Sequence, residues 1–156
     1  MTKLDVIYDR FLGRITDDMY MEWNETDTKA DLKNIFQDAV SGFEFPRFPL
    51  YDYDLDAGVY NVDLTQEEIN IFSELMLIVW LQRQITTVEN TRMKYSGQDF
   101  KLTSQANHLS KLLALKADCE KVDRHFQRLY KRRRLTDDKG TIESNWNSLM
   151  ENSALD

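Results

Sequence analysis

The sequence predicts an all-α protein. The expected form is a helical bundle with a long antiparallel helix hairpin, one protruding aromatic loop or short β-hairpin at about 43–63, and a C-terminal tail. Three observations predict it. Two prolines and five glycines in 156 residues leave few breaks in the chain. Apolar residues recur at steps of three and four through several long windows. Residues 43–63 leave that period over the longest stretch, and they hold both prolines. With 42% hydrophobic and 30% charged residues, the chain is too apolar for disorder and long enough to bury one core.

The first helix is expected to start on Thr2 as N-cap. Leu4, Ile7, Phe11, Leu12 and Ile15 then make one apolar stripe, which Gly13 weakens near its end. The second helix is expected near Thr26 to Thr28, where Thr28 and Asp31 have capping-box spacing. Its core face would be Leu32, Ile35, Phe36, Ala39 and Val40, and Gly42 stands where a C′ glycine belongs. Pro46 and Pro49 forbid a helix interior in the next segment. There Leu50 to Asp54 alternates large and acidic residues, Asp56-Ala57-Gly58 offers a turn, and Val59 to Val62 can run back as a strand.

The third helix has the clearest start signal. Thr65 and Glu68 form a capping box, and Leu64 and Ile69 a hydrophobic staple. This helix is expected to run to about Arg92. Its Leu75–Leu81 stretch is apolar all round, which predicts burial on several sides. After Ser96-Gly97, a fourth helix is expected from about Thr103 to Arg134. Its predicted buried face is Leu109, Leu112, Leu113, Val122, Phe126 and Leu129, with Cys119 beside it. Residues 1–134 would be the bundle domain and 135–156 a C-terminal arm. In that arm Ile142, Trp146, Leu149 and Met150 recur at steps of four, three and one, an amphipathic pattern. It either folds back on its own bundle or docks on another chain.

Charge is unevenly placed. Residues 1–91 carry 7 bases and 18 acids, residues 92–134 carry 12 bases and 4 acids, and residues 135–156 carry 1 base and 5 acids. Solvated helix faces and a basic helix C-terminus explain part of this order. Head-to-tail association of copies, acidic face on basic face, also fits it. The basic face is Arg124, Arg128, Arg132, Arg133 and Arg134. A helix C-terminus or the acidic surface of a partner accounts for it better than DNA binding, because the whole chain is at −7.

The sequence carries no motif of catalysis or metal binding, so no catalysis, cofactor or metal is expected. One cysteine excludes an internal disulfide framework and a cysteine-rich zinc site. His108 and His125 lack both the Glu-x-x-His and the His-Glu-x-x-His contexts. Cys119 on a buried face would be inert. The acidic pairs Asp17-Asp18, Glu67-Glu68 and Asp137-Asp138 fall at expected helix starts or breaks, where capping explains them. The opening Met-Thr-Lys-Leu-Asp-Val has no apolar signal core, and the seven-residue apolar run at 75–81 is far short of the roughly 20 residues that span a bilayer. The expectation is a protein of a reducing compartment that does not enter a membrane.

Four segments carry a resemblance: Phe45-Pro46-Arg47-Phe48-Pro49-Leu50, Val62 to Ile69, Trp80-Leu81-Gln82-Arg83-Gln84-Ile85, and Thr91 to Gly97. Together they resemble the small neck proteins of tailed bacteriophages, the head–tail connectors or adaptors beneath the portal. The likeness covers roughly residues 1–134. It implies a structural, non-enzymatic protein of the virion neck, made in the host cytoplasm and assembled as a homo-oligomeric ring, usually a dodecamer. The implied partners are the portal protein, neighbouring copies and the next neck or tail-completion protein, with DNA passing through the channel without specific binding. On that reading Ile142, Trp146, Leu149 and Met150 form a portal-docking arm, and Phe45, Phe48, Tyr51, Tyr53 and Tyr60 make ring or tail-side contacts. The alternative expectation is a small helical regulatory or protein-binding module.

Overall fold

The computed structural model describes residues 1–15, 20, 22–94, 102–135 and 142–144. These residues are mostly helical, with a small three-stranded antiparallel sheet. Four helices carry the fold among them: α1 (Leu4–Leu12), α2 (Glu25–Val40), α3 (Gln66–Lys94) and α4 (Leu102–Arg132). The sheet is built from β1 (Thr2–Lys3), β2 (Tyr53–Asp54) and β3 (Val59–Tyr60), in the order β1-β3-β2. A separate two-stranded ladder joins β4 (Arg133–Leu135) to β5 (Ile142–Ser144).

α1 begins at Leu4, but Thr2 is not its cap. Lys3 occupies the N-cap position without a side-chain bond. Thr2 lies in β1 instead, where its hydroxyl donates to the Val62 carbonyl (3.2 Å) and accepts from the Leu64 amide (2.8 Å). That pair of bonds ties the N-terminus to the entry of α3, a partnership 60 residues away that no local pattern announces. α2 starts at Glu25, just before the expected Thr26 to Thr28. Asn24 is the cap, its side chain accepting from the Asp27 amide at 2.8 Å. Asp31, expected to close a capping box, is bound by Arg83 of α3 at 2.9 Å and by the Tyr20 hydroxyl at 2.6 Å.

The core face of α2 is as the period predicts: Leu32, Ile35, Phe36, Ala39 and Val40 are buried. Gly42 follows the Ser41 C-cap, the C′ position expected for it, but without the left-handed backbone such glycines often take. Among the described residues only Gly58, in the β2–β3 turn, has positive φ (69°). Gly42 is needed for space: a Cβ there would stand 2.8 Å from Leu75 Cδ2 and 3.2 Å from the Ala39 carbonyl. The α3 start forms as its spacing predicts, with Glu68 Oε2 accepting from the Thr65 amide at 2.7 Å and Thr65 Oγ1 from the Glu68 amide at 3.3 Å.

The aromatic loop does not protrude. Phe43 and Tyr60 are buried, and Phe48 and Tyr53 are half-buried against the same core. Phe43, Phe48 and Tyr60 each pack on Phe72 of α3 with centroids 5.1–6.1 Å apart, and Tyr53 meets Phe36 of α2 edge-on at 5.3 Å. The prolines stop helix formation, and the rings that they free fill the gap between α1, α2 and α3. The Tyr60 hydroxyl donates to the Leu50 carbonyl, which closes the loop on itself.

The buried face of α4 is also corrected. Cys119, Asp123, Gln127 and Tyr130 are buried, while Val122 and Phe126 are exposed. The cause lies in the loop that α4 covers. The amides of Gly42 and Phe43 bond back to α2, but the Gly42 carbonyl and the Glu44 and Arg47 amides have no helix or strand partner, and part-buried backbone polar groups need one. Gln127 does this, accepting from the Glu44 amide (2.8 Å) and donating to the Gly42 carbonyl (3.1 Å). Tyr130 accepts from the Arg47 amide (3.3 Å) and donates to Glu68 Oε1 on α3 (2.5 Å). α4 also ends earlier than expected. Arg133 and Arg134 leave the helix for β4, whose antiparallel pairing to β5 supplies partners that a helix end lacks. Residues 142–144, expected in an amphipathic pattern, are therefore extended.

Candidate interaction surfaces

Among the described residues three surfaces stand out as uncovered, two on α4 and one on the β2–β3 hairpin. The first is an apolar strip on α4. Leu115, Val122 and Phe126 are 50%, 42% and 37% exposed, and Leu129 is half-buried. Steps of seven, four and three place them on one side of the helix, adjacent to the buried row of Asp123, Gln127 and Tyr130. Leu113 is a further exposed apolar residue on the same helix.

The second is the arginine row. Arg124, Arg128 and Arg132 are exposed, four residues apart, and point away from the buried row. Lys121 extends the row by a turn. Of the two arginines expected to continue it, Arg133 is half-buried and donates to Glu67 Oε1 of α3 at 3.2 Å. Arg134 lies in β4, in register with Glu143 of β5. The predicted basic face is thus a row of three, with one arginine turned to an internal ion pair.

The third surface is acidic. Asp52, Asp54 and Asp56 are exposed on the β2–β3 hairpin next to Tyr51, which is 68% exposed. Asp52 accepts from Asn61 Nδ2 (2.7 Å), and Asp54 accepts from the amides of Asp56 and Ala57 (2.8 and 2.9 Å), which fixes the hairpin without neutralising it. No base pairs with Asp5, Asp9, Asp52, Asp54 or Asp56 among the described residues. Three bases of this half are engaged elsewhere: Arg83 holds Asp31 and Asp38, Arg14 holds Glu74, and Lys29 holds Glu25.

The predicted loop contacts divide accordingly. Tyr51 is free to meet another molecule. Phe45 is half-buried, with Lys131 Nζ 4.1 Å from its ring centre. Phe48 and Tyr53 expose only part of their surface, and Tyr60 is wholly inside. Of the predicted docking arm, Ile142 stands in β5 opposite Leu135, while Trp146, Leu149 and Met150 lie outside the described residues.

Among the described residues no cluster of His, Cys, Asp and Glu could hold a metal, and no helix is long and apolar enough to cross a membrane. His108 and His125 are exposed on α4. Cys119 is buried, and burial pushes its thiol pKa up, which disfavours the nucleophilic thiolate. Glu67 and Glu68 are both engaged, one by Arg133 and one by Thr65 and Tyr130. The polar row of Asp123, Gln127 and Tyr130 escaped the reading of the sequence. Its spacing of four and three matches Cys119 on the same stripe, so the period was present, but its polarity pointed to solvent. No family model, curated protein or solved structure matches the chain.

Proposed function

We propose that this chain is a structural head–tail adaptor of a tailed phage, with copies joined in a ring between the portal and the next neck or tail protein. The observation that carries the reading is the pairing of unlike surfaces on one chain. An arginine row with an apolar strip lies on α4, and an uncompensated acidic hairpin with an exposed tyrosine lies on the β2–β3 turn. Surfaces that complement each other but not themselves favour heterologous contacts, which close into rings or extend into filaments. The four resembling segments supply the biological setting.

In this reading α3 and α4 form the long antiparallel hairpin of the subunit. The segment from residue 135 onward, with Ile142, Trp146, Leu149 and Met150, is the arm that docks on the portal. DNA passes through the ring without specific contacts, and the overall acidic charge lowers its affinity for phosphate. The chain acts by position alone and carries out no reaction.

The test is assembly. The chain mixed with its portal protein should form a ring visible by negative-stain imaging, and particles lacking it should contain filled heads that fail to join tails. Normal tail joining in its absence ends the proposal. A stable monomer that never enters particles supports the small binding module instead.

A further inference from the structure

Asp123 is a buried carboxylate with an incomplete set of partners. Its Oδ2 accepts from Gln127 Nε2 at 2.8 Å, and its Oδ1 has no hydrogen-bond partner among the described residues. The same Gln127 amide nitrogen donates to the Gly42 carbonyl, and its oxygen accepts from the Glu44 amide. The carboxyl group of Asp123 therefore sits directly behind the side chain that hydrogen-bonds α4 to the backbone of Gly42 and Glu44. We propose that Asp123 and Gln127 form a proton-controlled latch, closed when the Asp123 carboxyl is protonated and loosened when it is ionised.

A protonated carboxyl is neutral, so even with its Oδ1–H unpartnered its burial costs less than that of a full charge, and Oδ2 still accepts from Gln127. An ionised one carries a full charge into the same place with a single hydrogen bond, and buried charge without compensation is costly. The surrounding charges do not supply that compensation. Glu44, from the loop, repels the carboxylate, and Arg124, on the same helix, attracts it from an exposed position. On α3, the buried Glu74 is taken by Arg14, and Glu68 is taken by Tyr130 and the Thr65 amide. Burial, opposed by the Gln127 bond and Arg124 and reinforced by Glu44, pushes the Asp123 pKa up from 3.8 to about 6.

The direction of the pH effect follows. A carboxyl whose pKa is higher in the folded state binds more protons folded than unfolded between the two values. Its contribution to stability is full below about pH 4 and is lost as pH rises to about 6. Opening need not be global. Gln127 and the 42–44 backbone are the groups released, and the α4 end with β4 lies immediately beyond them. The latch would make the seating of that end sensitive to pH and to any contact that neutralises Asp123. The inference stands on the fold and is independent of the proposed function.

Two measurements on the full chain test it. A carbon-detected NMR titration of the Asp123 carboxyl should show a midpoint near pH 6, and a midpoint near 3.8 overturns the latch. Amide exchange at Glu44, corrected for its intrinsic pH dependence, should accelerate about tenfold between about pH 5 and about pH 7. In Asp123→Asn that acceleration should vanish. Equal acceleration in both proteins, or none in the wild type, rejects the proposal. Should Asp123→Asn fail to fold, Glu44→Gln serves: it should lower the Asp123 midpoint, and an unchanged midpoint counts against the latch.

Discussion

Replacing Tyr130 by Phe should destabilise the protein by about 2–3 kcal/mol without altering its shape. The hydroxyl is all that the change removes. It donates to Glu68 Oε1 at 2.5 Å and accepts from the Arg47 amide at 3.3 Å. A buried hydrogen bond to a charged group contributes roughly 1.5–3 kcal/mol, while the long Arg47 bond adds less than about 1 kcal/mol. The other Tyr130 contacts survive in the variant. The Arg47 guanidinium stays 4.3 Å over the ring and still donates to the residue 130 carbonyl, and Phe43 still meets the ring edge-on at 5.4 Å. Glu68 keeps its bond to the Thr65 amide, so the cap of α3 remains while one buried carboxylate oxygen is orphaned. Against a total stability of about 5–15 kcal/mol the loss is large. At about 2–4 °C per kcal/mol for a chain of this size, Tm should fall by about 4–12 °C. Urea unfolding is the assay, with an unchanged slope expected because the exposed area is unchanged. A loss below about 0.5 kcal/mol would show that water replaces the hydroxyl and that this part of α4 is not sealed. Glu68→Gln removes the charge, so Tyr130→Phe should cost less in that background, by about 1 kcal/mol.

Three further outcomes are expected. Gly42→Ala should destabilise by about 1 kcal/mol, because overpacking against Leu75 Cδ2 at 2.8 Å outweighs the roughly 0.4–1 kcal/mol that alanine gains by restricting the unfolded chain; in a Leu75→Ala background the same change should become neutral or stabilising by thermal melt. Reversing Arg124 and Arg128 to Glu should abolish self-association in sedimentation while leaving the melt within about 0.5 kcal/mol, and adding Lys at positions 52 and 54 should restore it; a restored assembly that fails to appear argues against this pair of surfaces. Deleting residues 137–156 removes β5 from a two-stranded ladder that is marginal by itself, so the melt should shift by less than about 3 °C, while binding to the portal protein should be lost; retained binding dismisses the docking arm.

Much of the fold was legible because its causes are local. The Thr65–Glu68 box, the α2 face from Leu32 to Val40 and the Gly58 turn each arise from residues within a few positions of one another. Periodicity likewise placed Arg124, Arg128 and Arg132 on one exposed row. The same periodicity misassigned Val122 and Phe126, because an apolar stripe reads as core whether or not anything covers it.

By itself, then, the sequence determined a mostly helical chain, the start of α3, the chemistry of its turns, and the acidic, basic, acidic order of charge. These are set by backbone propensity, capping and composition, which act over one or two turns. Only the tertiary structure decided that the aromatic loop turns inward, that α4 buries Asp123, Gln127 and Tyr130, and that Thr2 belongs to a sheet. The partners involved are 60–85 residues apart: Thr2 with Val62, Tyr130 with Glu68, Gln127 with Gly42. A polar side chain is buried when a distant backbone group needs it, and that need exists only once the loop at 42–47 has been laid against α4.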